Sequence, residues 1–254
     1  MSERKAIVVA ISGCSSSGKT TLSRLLRDMF PDAFVLHADD FYRPEAELPL
    51  SHGMVDWDCA EALSIPDMIK SLTHIHEQGT FPPFLDSKED QNEIGPCPVS
   101  PSQITSLYSL VHTWSSMHRT PRICIFDGFL LYPDVMAALQ PHLDIKIFLR
   151  TTKAKALARR AARSGYVTLE GFWEDPPGYV EKIVWPNYVR DHRFLFKDGD
   201  VEGEIDKEVA MERGIEYMQG GADEDMEMVL KWAVEALMGK LPNVGGEGVV
   251  GVAT

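Results

Sequence analysis

Residues 13–21 read GCSSSGKTT, which matches the phosphate-binding pattern G-x-x-x-x-G-K-[ST]. An apolar run at residues 6–11 precedes this stretch, and a segment with an apolar residue at every third or fourth position follows it. A chance turn rich in glycine and serine does not explain this order of strand, loop and helix, so the pattern predicts a phosphate-binding loop. The loop comprises Gly13, Cys14, Ser15, Ser16, Ser17, Gly18, Lys19, Thr20 and Thr21.

The residue types of this loop fit the binding of a nucleotide phosphate. Glycines at its two ends let the backbone N–H groups point at phosphate oxygens, and the following helix directs its partly positive N-terminus to the same place. We expect Lys19 to be exposed and to reach the β- and γ-phosphates. Thr20 is expected to offer its hydroxyl to Mg²⁺.

Four apolar runs, at residues 6–11, 33–36, 123–126 and 145–149, predict strands, and a weaker candidate lies at residues 215–218. The runs are apolar throughout rather than alternating, which is typical of strands that are covered on both faces. Helix-like segments separate them. The sequence therefore predicts an α/β fold with a parallel sheet of about five strands flanked by helices.

Length and charge limit the classes of partner. The chain has 254 residues and a net charge of -13, which argues against nucleic acid or an anionic membrane as a partner because those surfaces attract clustered Lys and Arg. The first apolar run is too short for a membrane span or a signal peptide, so we expect a cytoplasmic protein. The four cysteines lack metal-ligand spacing and are expected to be reduced thiols.

The organisation predicted from composition is a single domain over residues 1–238. Prolines and an acidic stretch mark an insertion at about residues 79–104, and a lid is expected at about residues 153–178. Residues 239–254 are rich in glycine and are expected to form a disordered tail.

Carboxylates follow two of the predicted strands, where ligands bind in open α/β sheets. Asp39 and Asp40 come after the second strand, and Asp127 comes after the third. A carboxylate in such a place can deprotonate a hydroxyl nucleophile or hold the water shell of a metal ion. The alternative for the first pair is a helix cap or turn.

Arg159, Arg160 and Arg163 follow the fourth predicted strand on an alanine-rich helical segment. Such a cluster can stabilise a transferring phosphoryl group or bind the nucleotide; the alternative is a solvated basic face. A glycine-hinged segment with the aromatic residues Tyr166, Phe172 and Trp173 comes next and resembles a flap.

Taken together, GCSSSGKTT, HADDFYRPEAEL, MVDWDCAEAL, FDGFLLY, the arginine cluster and DPPGYVEKIVWPNY resemble the nicotinamide riboside kinase family, a branch of the uridine kinase-like phosphate-loop kinases. The resemblance covers most of residues 7–194 and implies a P-loop kinase fold with a lid. It also implies transfer of the ATP γ-phosphate to the ribose 5′-hydroxyl of nicotinamide riboside, with Mg²⁺ as cofactor, in NAD biosynthesis. Nicotinic acid riboside is an expected second substrate.

The family pattern further implies roles for individual residues. Asp40 is the general base, Lys19 acts in catalysis, and an aromatic at Trp57 stacks on the nicotinamide ring while Asp58 binds ribose hydroxyls. The metal is associated with Thr20, Asp40 and Asp127, although the family commonly has Glu at the last position. The ATP site includes Arg159 and Arg163 besides the loop, and the substrate site comprises Asp40, Phe41, Tyr42, Arg43, Trp57, Asp58, Arg160, Tyr166 and Asp175. Phe172 and Trp173 are alternatives to Tyr166 as the second stacking aromatic.

Two other functions remain open at this level. A kinase for uridine or another nucleoside would share the catalytic residues and differ in the base pocket. A nucleotide-dependent switch would bind ATP or GTP without a small acceptor. Such a switch would not need Asp40 beside an aromatic–carboxylate pair, and the presence of these residues therefore argues against it. The sequence also lacks the GTP-specific pattern N-K-x-D.

Overall fold

The computed structural model describes residues 4–87, 95–118, 121–162, 166–168, 171–220, 222 and 224–244. Its strands are β1 (Ala6–Gly13), β2 (Phe34–His37), β3 (Leu50–Ser51), β4 (Met54–Val55), β5 (Arg122–Gly128), β6 (Ile145–Leu149), β7 (Tyr166–Thr168), β8 (Gly171–Trp173) and β9 (Ile215–Tyr217). Its helices are α1 (Lys19–Met29), α2 (Ile65–Gln78), α3 (Pro101–Met117), α4 (Lys153–Ala161), α5 (Trp185–His192), α6 (Lys207–Arg213) and α7 (Met226–Val244).

The main sheet has five parallel strands in the order β2-β5-β1-β6-β9. Each of its strands overlaps one of the apolar runs in the sequence, including the weaker candidate at residues 215–218. The predicted fold class, a parallel sheet of about five strands flanked by helices, is therefore confirmed. Two short antiparallel pairs, β3–β4 and β7–β8, lie outside the main sheet.

The central strand β1 is buried along its whole length, and its alternate side chains pack on opposite faces of the sheet. Val8 and Ala10 belong to a core shared with α2, α5 and α6. Ile7 and Val9 belong to the other core, which α1, α3 and α7 complete. Burial of each such aliphatic side chain stabilises the fold by about 1.5–3 kcal/mol, which explains why the strands are apolar throughout.

The pairing register gathers the carboxyl ends of three strands at one edge of the sheet. His37 at the end of β2 pairs with Asp127 of β5, and Ser12 of β1 pairs with Gly128. Because the strands are parallel, residues 13–21, 38–42 and 129–132 all follow at this edge. The fold thus brings the phosphate-loop sequence and the predicted carboxylates together.

The C-terminal helix extends further than the sequence predicts. Helix α7 continues through Gly239 to Val244, and Leu241 on this extension is fully buried against the sheet. The predicted start of a tail at residue 239 is therefore wrong, because the apolar face of the helix outweighs the glycine penalty of about 1 kcal/mol. Residues 245–254 lie outside the described part of the chain.

Two other predicted segments are also delimited by the structure. α2 ends at Gln78 and α3 begins at Pro101, with the Ser100 hydroxyl accepting from the Gln103 N–H, so the insertion predicted for residues 79–104 ends before 101. Residues 88–94 of the predicted insertion lie outside the part of the chain that the structure describes. The segment predicted as a lid, about residues 153–178, contains α4 and the β7–β8 pair, and its residues 163–165 and 169–170 lie outside the described part of the chain.

All four cysteines are free thiols, as the sequence predicts. Within the described ranges, no helix has the length and apolar character needed to cross a membrane.

Candidate active site

The phosphate-binding loop leaves β1 at Gly13 and enters α1 at Lys19. Gly13 has a φ of 148°, and a Cβ atom there would lie 2.2 Å from the carbonyl oxygen of Leu149. Gly18 precedes the helix with a φ of 101°, a conformation that other residues rarely adopt. Backbone geometry therefore requires both glycines, and α1 presents its N-terminal N–H groups to the loop.

Lys19 folds back across this loop. Its Nζ donates to the Cys14 carbonyl at 2.9 Å, and only 8% of the residue is exposed. The expectation that Lys19 is exposed is therefore wrong, because the lysine stem packs along the loop rather than extending into solvent. The ammonium group consequently lies beside the loop backbone.

Asp127 lies next to the loop and is held by two side chains. Its Oδ1 is 2.8 Å from Nδ1 of His37, and both residues are buried. Burial alone would raise the pKa of Asp127, but the His37 imidazole, the Lys19 charge and a hydrogen bond with Thr20 outweigh it and lower the pKa below its usual range. The Thr20 hydroxyl and the ionised Asp127 carboxylate thus lie next to each other, and both are oxygen groups that can bind a metal ion.

Asp39 has phosphate-loop residues among its electrostatic neighbours. Burial and the nearby Asp127 raise the pKa of Asp39 to about 6, against the opposing charges of Lys19 and His37. Both aspartates lie in a 3₁₀ turn, Ala38–Phe41, in which successive side chains diverge by about 120°, so their carboxylates point in different directions. These neighbours make Asp39 a candidate for the general base beside Asp40, the residue that the family pattern implies.

Asp39 also lies near the other half of the site. Burial, followed by the charges of Asp39 and Asp58, raises the pKa of Tyr42. Asp39 is therefore within electrostatic reach of Lys19 on one side and of Tyr42 on the other. A group in this position can act between a phosphate and a second ligand.

An aromatic cluster forms this other half. The Trp57 ring contacts the Tyr42 ring edge-on, with centroids 5.2 Å apart, and lies 5.5 Å from the Trp173 ring at an interplanar angle of 56°. Trp57 is only 6% exposed because Tyr42 and Trp173 cover it. Of the three lid aromatics considered, Trp173 is the one seen beside Trp57; the side chains of Tyr166 and Phe172 lie outside the description.

Arg160 joins the lid to the phosphate loop. It donates to Asp175 through Nε at 2.5 Å and Nη2 at 2.9 Å, and its Nη1 donates to the Ser15 hydroxyl at 2.6 Å. Nη2 also lies 3.6 Å from Oδ2 of Asp58. The guanidinium is almost fully buried, so this is a bidentate ion pair within the site rather than a solvated basic face.

Arg159, the neighbouring arginine, contacts the outer side of the loop. Its Nη1 donates to the carbonyls of Ser17 at 3.1 Å and Ser16 at 3.4 Å. Its side chain is exposed at the surface of α4 and remains able to reach a ligand on the loop. Arg163, the third member of the predicted cluster, lies outside the described residues.

Two residues of the predicted substrate set have other contacts in the structure. Phe41 packs in the sheet core and is 4% exposed, and Arg43 is exposed with Nη1 3.9 Å from Oε2 of Glu47. The turn at residues 38–41 directs consecutive side chains in different directions, which a contiguous sequence motif does not reveal.

Tyr179 is a site residue that the sequence reasoning missed. Its hydroxyl accepts from the Trp57 N–H at 2.9 Å, and a hydrogen bond with Tyr179 and the Arg160 charge oppose the rise that burial causes in the pKa of Asp58. The Arg160 guanidinium also lies 5.4 Å from the Tyr179 ring centroid. The only signal was its place in DPPGYV, which indicated a hinge rather than a contact.

A pocket on the opposite side of the phosphate loop was not predicted either. The Arg150 Nη1 donates to the Gly220 carbonyl at 2.6 Å and so fixes one wall of this pocket. Its lining includes Ser17, Leu149, Arg150, Arg159, Met218 and Met226. Apolar walls with two arginines and Glu224 next to a phosphate loop suit the base and sugar of a nucleotide.

The site thus has a phosphate half and an aromatic–carboxylate half, and Asp39 is within electrostatic reach of both. No protein-family model matches the chain. The nicotinamide riboside kinase of Schizosaccharomyces pombe is 38% identical over 212 residues, which cover 82% of this chain and 89% of that protein. The enzymes of the same name from Eremothecium gossypii and Saccharomyces cerevisiae are 33% and 31% identical, and the alignments cover 92% and 94% of this chain and 93% and 98% of those proteins. The chain therefore belongs to the nicotinamide riboside kinase family.

Proposed function

We propose that this protein transfers the γ-phosphate of ATP to the ribose 5′-hydroxyl of nicotinamide riboside. The observation that carries the proposal is the position of Asp39, within electrostatic reach of Lys19 and Asp127 on one side and of Tyr42 on the other. A kinase needs its base at this point, because the acceptor hydroxyl and the γ-phosphate must meet there.

The phosphate half binds ATP. The loop N–H groups and Lys19 hold the β- and γ-phosphates, and Lys19 stabilises the charge that develops during transfer. Arg159, already in contact with the loop carbonyls, adds a second cation. The adenosine moiety occupies the pocket beside Arg150 and Met218.

The donors present fit Mg²⁺. Within the described ranges no cluster of three or more His, Cys, Asp and Glu side chains suits a metal ion. Mg²⁺ in nucleotide sites binds through phosphates, water and only one or two protein oxygens, which Thr20 and the ionised Asp127 supply. When bound, the ion neutralises phosphate charge.

Asp39 acts as the general base, in place of Asp40. With a pKa of about 6, Asp39 is ionised at neutral pH and is a stronger base than an ordinary carboxylate. It takes the proton of the 5′-hydroxyl as the oxygen attacks the γ-phosphorus, and ADP leaves.

The aromatic–carboxylate half binds the nucleoside. The pyridinium ring binds on the indole faces of the Trp57–Trp173 pair, which attract a cation, and the two rings, whose centroids lie 5.5 Å apart, separate to admit it. Asp58 accepts from the ribose hydroxyls, and Arg160 donates to them while it holds the lid through Asp175. The carboxylates favour a cationic ring over a neutral pyrimidine. Nicotinic acid riboside, whose added carboxylate offsets the ring charge, is the weaker substrate.

Purified protein incubated with ATP, Mg²⁺ and nicotinamide riboside tests this proposal. We expect stoichiometric ADP and nicotinamide mononucleotide, identified by mass, formed about 10²–10³-fold more slowly by Lys19→Ala as the matched control. Failure of the wild-type protein to phosphorylate nicotinamide riboside would contradict the proposal.

A further inference from the structure

We infer that Asn187 is a positioning residue for the nucleoside-binding loop, defined as residues 56–58. The inference rests on the proposed function, which assigns Trp57 and Asp58 of this loop to the nucleoside. Asn187 lies on α5, the helix that follows the lid segment, and is 8% exposed. The hydrogen bonds on which the inference rests do not join Asn187 to the phosphate loop or to the aromatic rings.

The nucleoside-binding loop has no regular secondary structure and depends on the side chain of Asp56. The Asp56 Oδ1 accepts from the Asp58 N–H at 3.0 Å, which is the geometry of an Asx turn. The Asp56 N–H donates to the Pro49 carbonyl at 2.8 Å, and the Cys59 thiol donates to the Asp56 carbonyl at 3.4 Å. The orientation of the Asp56 carboxylate therefore sets the path of the two residues that follow.

Asn187 fixes that carboxylate and the loop backbone together. Its Nδ2 lies 3.0 Å from both Oδ1 and Oδ2 of Asp56 and 3.1 Å from the Asp58 carbonyl. Its Oδ1 accepts from Nη1 of Arg190 at 3.0 Å. Because a carboxylate only accepts and a guanidinium only donates, one orientation of the amide satisfies all these partners.

A second contact reaches the loop from the same stretch of chain, since Tyr179 accepts from the Trp57 N–H. Residues 179–187 thus hold the loop at two points. The Tyr179 contact orients Trp57, and the Asn187 contact orients Asp58. Without Asn187, buried acceptors on Asp56 and Asp58 would lose their donor, and the loop would have to shift to find another.

Reciprocal substitutions of the pair test this role. In Asn187→Asp two carboxylates face each other. In Asp56→Asn the amide oxygen can still accept from the Asp58 N–H, but an NH₂ group replaces the Oδ2 that accepted from Asn187, so each single variant has a mismatched contact. The double variant restores one amide and one carboxylate, although the Asp58 carbonyl loses its donor. Lys182→Gln, an exposed position in the turn before α5, introduces the same change of charge as Asn187→Asp and serves as the control.

The measurement is steady-state kinetics with the full chain, using whichever nucleoside the wild-type protein phosphorylates best. We expect each single variant to lose about ten- to a hundredfold in kcat/KM for the nucleoside, a loss typical of a misplaced binding group, while KM for ATP changes little. The double variant should exceed both single variants. Thermal midpoints identify any variant that fails to fold, in which case the remaining single variant and the double variant decide.

Near-wild-type kcat/KM in a folded single variant, equal effects on the nucleoside and ATP, or a double variant no better than the singles would overturn the inference. Lack of activity with nicotinamide riboside alone would overturn the proposed substrate instead. The two failures are therefore distinguishable.

Discussion

Replacing Asp39 by asparagine should remove most of the activity and at the same time stabilise the protein. Asparagine keeps the size of the side chain but cannot accept the proton of the 5′-hydroxyl. Loss of a general base lowers kcat by about 10²–10⁴-fold. Asp40→Asn is the matched control, and it should lower kcat far less because the 3₁₀ turn directs its side chain about 120° away from that of Asp39.

The stabilisation follows from the pKa of Asp39. Its rise from 3.8 to about 6 corresponds to about 3 kcal/mol against the ionised form in the folded state. An amide does not ionise and avoids this cost, so the thermal midpoint of Asp39→Asn at pH 8 should rise by several degrees, with about 12 °C as the upper limit.

The sign of the pH dependence is fixed by the same shift. Between pH 3.8 and about 6 the folded state binds the proton more tightly than the unfolded state, so this residue stabilises the protein less as the pH rises through that window. The difference in midpoint between the variant and the wild type should therefore be large at pH 8 and small near pH 4.

Two assays check these expectations. A pH profile of kcat/KM for the nucleoside should fall on the acidic side with an apparent pKa near 6, and differential scanning calorimetry gives the midpoints. The reasoning is refuted if Asp40→Asn loses more activity than Asp39→Asn, or if Asp39→Asn has a lower midpoint than the wild type at pH 8.

Three further predictions concern other parts of the site and the fold. Lys19→Ala should lower kcat by about 10²–10³-fold with the circular dichroism spectrum retained; near-normal turnover would contradict its role at the phosphates. Trp57→Ala should raise KM for the nucleoside by about five- to 150-fold without changing that for ATP, whereas Trp57→Phe, which keeps a stacking face, should do so less; equal values for the two variants would contradict stacking. Truncation before Gly239 should remove the buried Leu241 and cost about 1.5–3 kcal/mol, visible as a lower thermal midpoint, whereas a chain ending at Val244 keeps that contact; identical midpoints would contradict the packing of the helix end.

The fold was largely predictable because it depends on local and periodic signals. The continuous apolar runs reflect burial of strands on both faces, and the phosphate loop fixes the junction of β1 and α1. The end of α7 was not predictable from composition. Glycines near its end suggested a tail, but Leu241 finds a buried place that only the tertiary structure provides.

The site was predictable only where a motif carries the chemistry. The phosphate loop and the Trp57–Asp58 pair belong to such motifs. The choice between Asp39 and Asp40 could not be predicted from the sequence, because it depends on which way a 3₁₀ turn directs two identical side chains. Contacts such as that of Asn187 with Asp56 join residues 131 positions apart and leave no periodic pattern in a single sequence.

Competition between nicotinamide riboside and uridine at limiting ATP·Mg²⁺ tests the central claim most directly. Attraction between a pyridinium ring and the indole of Trp57 is worth about 0.5–2 kcal/mol, so kcat/KM should favour nicotinamide riboside by at least about two- to thirtyfold. Product masses would report the ratio from one reaction mixture. A ratio of one or below, with both nucleosides phosphorylated, would contradict the assignment of this aromatic–carboxylate pocket to a cationic nucleoside.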